Sequence, residues 1–329
     1  MIKVSVITIG YNIKNYIKRC IHSIQEQTLK DIEIIYVDDG SNDGTLDIVR
    51  QMAKSDFRIK IIEQKNSGPY IARINGFENS NGEYFTFVDG DDWIEPDTIR
   101  YLFEKAKKYE LNVVLYDSIR DNHLSNTSIH NQLLIENDVI LNRNEISKYI
   151  LPKFMSNTCF SAVTTKLYNL KYVKGLNISK DIKIKYGEDM LFLLKIFDNL
   201  DRTMYIEKEF YHYCVNQKGT LSQIHNENAF FDIYVPLFNY RIFYAKKWGV
   251  LEELYINTSF MGICEFSYDF KYKKENLKRY FTNEIFRNSI EKSSIIQYKK
   301  IFGKSKTIVL LVAFKVIFKF IRRKGIENK

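Results

Sequence analysis

Proline and glycine are scarce in this 329-residue chain, at 4 and 14 residues. That scarcity excludes collagen-like and Pro/Gly-rich low-complexity architectures. Cysteine is equally sparse. Cys20, Cys159, Cys214 and Cys264 are too few for a disulfide scaffold and too far apart for a C-x-x-C metal site. They read as free structural thiols in a reducing compartment. No charged leader, long apolar core and small-residue cleavage site open the chain, so no signal peptide is expected, and the expected location is cytoplasmic. Nothing resembles a helix-turn-helix or another base-reading module, which argues against a nucleic-acid partner. What is abundant is apolar and aromatic side chain, 45% and 15% of residues. That is ample for a buried core and excludes bulk disorder. At about 150 residues per domain, the length fits two domains or one large domain with an extension.

Acidic residues almost disappear from residues 271–329, which hold 17 Lys/Arg against 4 Asp/Glu. The preceding 270 residues hold 32 against 36. A slightly acidic body with a strongly basic end points to an anionic surface as partner. Within that end, Thr307–Ile321 is interrupted only by Lys315 and Lys319, four apart and so on one helical face. The run is about 15 residues, short of the roughly 20 that a spanning helix needs. The favoured expectation is a basic amphipathic tail lying in the interface of an anionic membrane. The competing expectation is a core helix with snorkelling lysines.

Strand and helix signals alternate through the first 115 residues. Strands are expected at Ile2–Ile9, Ile32–Val37, Ile59–Glu63, Tyr84–Val88 and Val113–Leu115. Helices are expected over Ile13–Ile24, Leu46–Met52, Pro69–Glu78 and Pro96–Tyr109, the third with Pro in its first turn. Such alternation predicts an α/β fold with a mainly parallel sheet and helices on both faces. Ligands in such sheets bind beyond the carboxyl ends of the strands. The polar clusters Tyr11-Asn12, Asp38–Ser41 and Asp89–Asp92 fall there. Residues 116–160 read as a polar connector with short elements, Glu188–Leu200 as a helix, and 226–300 as an aromatic-rich helical accessory region.

Asp89-Gly90-Asp91-Asp92 places three carboxylates in four positions directly after a strand. They repel one another unless a cation shares them, and Mg²⁺ or Mn²⁺ suits such oxygen donors while bridging to substrate phosphates. A carboxylate at a strand end can also accept from a nucleobase N–H or a ribose hydroxyl. Tyr11 could stack on a base, and Arg73 could pair with a phosphate bidentately; packing and solvation are the plain alternatives. Glu188-Asp189 opens an apolar helix, where acids complement the helix dipole or serve as a general base.

The chain resembles a family 2 glycosyltransferase of the GT-A fold. The resemblance is carried by Val4–Ile7 with Tyr11-Asn12, by Val37-Asp38-Asp39-Gly40-Ser41-Asn42-Asp43-Gly44-Thr45, and by Asn66-Ser67-Gly68, Ala72-Arg73 and Gly82-Glu83-Tyr84. Phe87-Val88-Asp89-Gly90-Asp91-Asp92-Trp93, Lys166-Leu167-Tyr168 and Gly187-Glu188-Asp189-Met190-Leu191-Phe192 continue it. It covers about residues 1–225 and implies a nucleotide-sugar half (about 1–115) and an acceptor half (about 116–225). It further implies a nucleotide-sugar donor, usually a uridine diphosphate sugar, a divalent metal and an inverting transfer. Carried over, Tyr11, Asp38, Asp39, Arg73, Asp89 and Gly90 would bind the nucleotide sugar. Asp91, with Asp89, would hold the metal, and Asp189 would be the base with Glu188 beside it. His212 and His225 are further candidates for assisting the metal or diphosphate; a structural role is the alternative for each.

The expected organisation is a GT-A domain over 1–225, helices over 226–300 and the basic tail over 301–329. The expected function is synthesis of a bacterial surface polysaccharide, with a glycan or lipid-linked acceptor at the inner face of the plasma membrane. The helical region could bind acceptor, pack against the GT-A domain or form a homo-oligomer interface. Competing readings are a non-catalytic nucleotide-sugar-binding or membrane scaffold and a nucleotidyltransferase. The latter usually shows a Gly-rich basic phosphate loop, which Thr8–Tyr16 lacks.

Overall fold

A computed structural model describes residues 1–122, 127–130, 138–156, 160–179, 187–215, 231–232, 235–272, 278–296 and 306–324. Its strands are β1 (Val4–Gly10), β2 (Ile32–Asp38), β3 (Ile59–Glu63), β4 (Tyr84–Asp89) and β5 (Trp93–Ile94). They continue with β6 (Val113–Asn122), β7 (Thr127–His130), β8 (Val139–Asn142), β9 (Lys166–Asn169) and β10 (Arg202–Val215). The helices are α1 (Ile17–Gln25), α2 (Thr45–Ala53), α3 (Pro69–Glu78), α4 (Thr98–Lys108), α5 (Arg143–Glu145), α6 (Leu151–Ser156) and α7 (Leu170–Gly175). After them come α8 (Glu188–Asn199), α9 (Val235–Trp248), α10 (Leu251–Tyr272), α11 (Lys278–Thr282), α12 (Glu284–Lys292) and α13 (Lys306–Lys324).

The chain divides into two compact units. The first comprises residues 1–146, 162–183 and 188–225; the second comprises 147–161, 184–187 and 226–329.

The first unit is built on a sheet ordered β3-β2-β1-β4-β9-β6-β10-β5, with β7 on β6 and β8 on β10. The α/β class expected from the sequence holds, and the detail of the sheet differs. It is parallel only through β3-β2-β1-β4 and again between β6 and β10. The short strand β9 enters antiparallel between β4 and β6 and makes the sheet mixed. Its four residues, Lys166–Asn169, are too few to announce a strand by alternation. The connector expected over 116–160 also contributes pairing, because β6 runs on to Asn122.

β1 lies between β2 and β4, with Gly10 opposite Asp38 and Ile9 opposite Asp89. Three strand ends carrying polar loops are therefore side by side. α1 buries Ile17, Cys20, Ile21 and Ile24, the i, i+3, i+4, i+7 stripe of an amphipathic helix. α3 approaches β1 closely at Gly76, where a Cβ would lie 2.3 Å from Ile7 Cγ2. Arg73 is three residues earlier on the same helical face, so this contact brings its guanidinium to the strand ends. α8 is anchored by Phe192, edge-on to Phe77, Phe87 and Tyr168. Glu188 precedes Phe192 by four residues and shares its face.

The second unit is helical and aromatic. Ile256, Ile263, Tyr280, Phe286, Ile290, Leu311, Phe314 and Phe318 form one buried cluster. Phe314 meets Phe266, Phe286 and Phe318 at ring distances of 4.7, 5.3 and 5.7 Å. Thus one face of α13 is core. Lys315 is half-buried, and its Nζ donates to the Glu291 carbonyl at 2.9 Å. Among the described residues no helix is long and apolar enough to cross a membrane.

Candidate active site

The loops after β1 and β2 are stitched together by side chains from the acidic turn. Asn12 N–H donates to Ser41 Oγ, Ile13 N–H to Thr45 Oγ1 and Lys14 N–H to Asp43 Oδ2. Asn12 itself holds a positive φ of 54°. The preceding residue, Tyr11, is left 47% exposed at the strand end, free to offer its ring to a ligand. Asp38 and Asp39 are buried within the turn. Asp38 accepts from Tyr36 Oη and the Ser41 N–H. Asp39 accepts from Gln64 Nε2 and from the N–H groups of Ser67 and Gly68. It thereby fixes the loop that leads into α3.

At the end of β4, Gly90 admits no side chain, since a Cβ would lie 2.4 Å from Ile13 Cδ1. The turn can therefore tuck under the β1 loop and present Asp89 and Asp91. Arg73 is 8% exposed and joins elements far apart in sequence. Its Nη2 donates to Asp89 Oδ1 at 2.8 Å, and its Nη1 to Asp189 Oδ1 at 2.6 Å and Glu188 Oε1 at 3.3 Å. One guanidinium thus gathers three of the carboxylates expected to carry the chemistry. Arg73 is not a solvated helix residue, and both of its terminal nitrogens are engaged by protein acids.

The acids outnumber the cation. Burial pushes Asp189 up to about 7; Arg73 pulls it down, and Glu188 and Asp89 push it up. Burial, then the charge of Asp89, raises Asp91 to about 6. A divalent cation shared by Asp89 and Asp91 would offset that repulsion, and their hard oxygens match Mg²⁺ or Mn²⁺. Among the described residues no group of three or more His, Cys, Asp or Glu is placed to hold a metal. Asp89 and Asp91 would be the two protein carboxylates available to such a cation.

Asp92, which the sequence offers with Asp89 and Asp91 as one of three carboxylates for a shared cation, is instead the tether of this turn. It accepts from Tyr211 Oη at 2.6 Å and from the Cys214 N–H at 2.8 Å, while Tyr211 Oη accepts from the Asp89 N–H. Arg19 adds a bond from Nη2 to the Asp91 carbonyl at 2.8 Å and one to Cys214 Sγ at 3.1 Å. The signal in the sequence is the third acid of the run, with a Tyr-rich strand far downstream to hold it. His212 does not face the metal candidates with a spare nitrogen. Its Nδ1 meets Asp121 at 3.0 Å, its Nε2 meets Glu95 at 2.7 Å, and its ring stacks on Trp93 at 3.4 Å. The pairing with β5 places it there. His225 lies outside the described residues.

The family profile described as Glycosyl transferase family 2 matches residues 5–174, just over half of the chain. The chain belongs to glycosyltransferase family 2. Among relatives of this family 2 chain is the glycosyltransferase GlyA of Streptococcus pneumoniae, 33% identical over 68% of this chain and 32% of GlyA. Another is EpsJ of Bacillus subtilis, named as a glycosyltransferase, 33% identical over 65% of this chain and 61% of EpsJ. The chain thus spans about a third and about three fifths of these two relatives. In fold, the family 2 chain is similar to residues 1–349 of TarS from Staphylococcus aureus. The TM-score is 0.67 at 20% identity, covering 98% of this chain and 92% of that one. The same TarS fragment has been solved in complex with UDP-GlcNAc. These likenesses agree with the GT-A fold and with the family expected from the motifs.

Proposed function

We propose that this chain is an inverting, metal-dependent glycosyltransferase. It moves a sugar from a nucleoside diphosphate donor, a uridine diphosphate sugar, to a hydroxyl of a glycan or lipid-linked acceptor in cell-surface polysaccharide synthesis. The observation that carries the reading is the convergence of Asp89, Glu188 and Asp189 on Arg73 at the carboxyl ends of the strands. The UDP-GlcNAc complex of the similarly folded TarS supports the choice of donor class.

Tyr11, Asp38, Asp39, Asp89 and Gly90 form the donor side, with Arg73 holding Asp89 in place. Asp91, with Asp89, would hold Mn²⁺ or Mg²⁺, which when bound neutralises charge on the departing diphosphate. Asp189 takes the proton from the acceptor hydroxyl as that oxygen attacks the anomeric carbon opposite the leaving group. Burial raises Asp189 toward neutral pH, the range in which a general base is most effective. Glu188 shares Arg73 with it and keeps the guanidinium turned toward both. A single displacement inverts the anomeric centre, as when a base activates water in inverting glycosidases. Residues 1–225 carry the chemistry and 226–300 serve the acceptor or an interface between copies. The basic segment 301–329 attaches the enzyme to the inner face of the bacterial plasma membrane.

The test is release of nucleotide from a panel of nucleotide sugars, with Mn²⁺, with Mg²⁺ and with chelator, in the parent and in Asp91→Asn. Metal-dependent turnover of one uridine diphosphate sugar, lost in the variant, is the expected result. Absence of turnover together with absence of uridine diphosphate binding by calorimetry would overturn the assignment.

A further inference from the structure

Between residues 292 and 326 the chain carries ten Lys/Arg and no Asp or Glu. α13 lies within this stretch and has two unlike apolar faces. Leu311, Phe314 and Phe318 are 0–2% exposed and belong to the helical core. Val312, Ala313, Val316 and Ile317 look the other way, with Val316 63% exposed and Val312 and Ile317 each 40%. Their spacing of i, i+1, i+4 and i+5 sets them on one arc of the helix. Lys319, also exposed, follows Val316 by three residues at the edge of that arc. A polar outer face would complete an ordinary surface helix; here the outer face is aliphatic and its surroundings in sequence are uniformly basic.

We propose that the outward arc of α13, centred on Val316, is a docking surface for an anionic lipid bilayer. The inward arc stays in the helical core. This rests on the proposed membrane attachment of the basic segment and narrows it to one face. Aliphatic side chains enter the acyl boundary while flanking cations meet lipid phosphates, the arrangement of an interfacial helix. Charge complementarity selects an anionic surface, and the aliphatic arc selects lipid over nucleic acid, which offers no apolar layer. The core role of Leu311, Phe314 and Phe318 means that removing the whole segment would also unpack the helices. Substitutions confined to the outer arc separate the two roles.

The experiment is flotation of the full chain with vesicles of phosphatidylcholine alone or mixed with phosphatidylglycerol. The parent and Val316→Glu/Ile317→Glu are compared, with melting temperature and uridine diphosphate binding measured on both. The expected result is binding of the parent only to the anionic vesicles, weakened by salt. The double variant binds about tenfold more weakly or less, since two aliphatic side chains no longer leave water, at unchanged melting temperature. In Val316→Trp, emission should shift to the blue on adding anionic vesicles. A parent that floats with no vesicle overturns the membrane attachment itself and leaves the transferase chemistry standing. A double variant that floats like the parent, or a Val316→Trp signal that stays put while the protein floats, overturns the choice of face. A parent dimer that the double variant dissolves, without vesicle binding, assigns the arc to a second copy instead.

Discussion

Two buried acidic sites occupy opposite ends of the same parallel strands, and they are built on opposite principles. At the amino end, Glu33 of β2 is 2% exposed. It accepts from Ser5 Oγ, Lys60 Nζ and the Asn81 N–H, each at 2.6 Å. Burial pushes its carboxyl up, but those three donors outweigh it and hold it below the ordinary glutamate range. At the carboxyl end, Asp91 and Asp189 are pushed up to about 6 and 7, with like charges adding to burial. Neighbouring Asp92 is raised well above the ordinary range by the same causes. One end is a satisfied hydrogen-bond centre; at the other, burial and neighbouring carboxylates raise the acids. The second pattern is what a site for a cation and a titrating base requires, and the first is what stability requires.

That contrast breaks most visibly at Asp189. Asp189→Asn should lower turnover about 10²–10⁴-fold while uridine diphosphate binding persists, as read by initial rates and calorimetry. Next comes Arg73→Met, which strips three carboxylates of their shared cation. A loss of about 3–5 kcal/mol in urea unfolding is expected, and Arg73→Lys, keeping charge without the fork, should recover part of it. Glu33→Gln should cost about 1–3 kcal/mol at neutral pH and leave the KM for donor unchanged. Because the folded carboxyl of Glu33 lies below its unfolded value, its contribution is present at neutral pH and fades as pH falls. Parent and variant should therefore converge below about pH 4. The smallest effect has the opposite sign. Asp91→Asn should stabilise the metal-free protein by about 1 kcal/mol, since it removes a repelled buried charge. A destabilised Asp91→Asn, or a neutral Glu33→Gln, would erase the distinction between the two ends.

Most of the first ninety residues was legible because each element announces itself locally. α3 spans Pro69–Glu78 as its initial proline and apolar spacing predict, and β3 is Ile59–Glu63 as predicted. Of the candidate site residues, Tyr11, Asp38, Asp39, Asp89 and Asp91 stand at strand ends, while Arg73, Glu188 and Asp189 stand on helices. What spacing could not supply was pairing across a hundred residues. Arg73 reads alone as a phosphate ligand or a solvated helix residue; its partners Glu188 and Asp189 are 115 and 116 positions away. Asp92 looks like one more turn acid until Tyr211 and Cys214 reach it. His212 reads as a metal candidate until Asp121 and Glu95 engage both ring nitrogens. For the apolar run at 307–321, the expectation of a core helix holds for the face that carries Leu311, Phe314 and Phe318.

The antiparallel entry of β9 bears on how the chain is made. Strands β1 to β4 lie within the first 89 residues and can pair while synthesis continues. The edge left by β4, with Tyr84, Phe85 and Phe87 beside it, is not covered until Lys166–Asn169 emerges. At about 5–20 residues per second that interval lasts several seconds. During it the nascent half-sheet presents an unpaired apolar strand, the feature that most invites intermolecular pairing. Aggregation during expression should accordingly peak in fragments that end between β4 and β9, and chaperone capture should begin there.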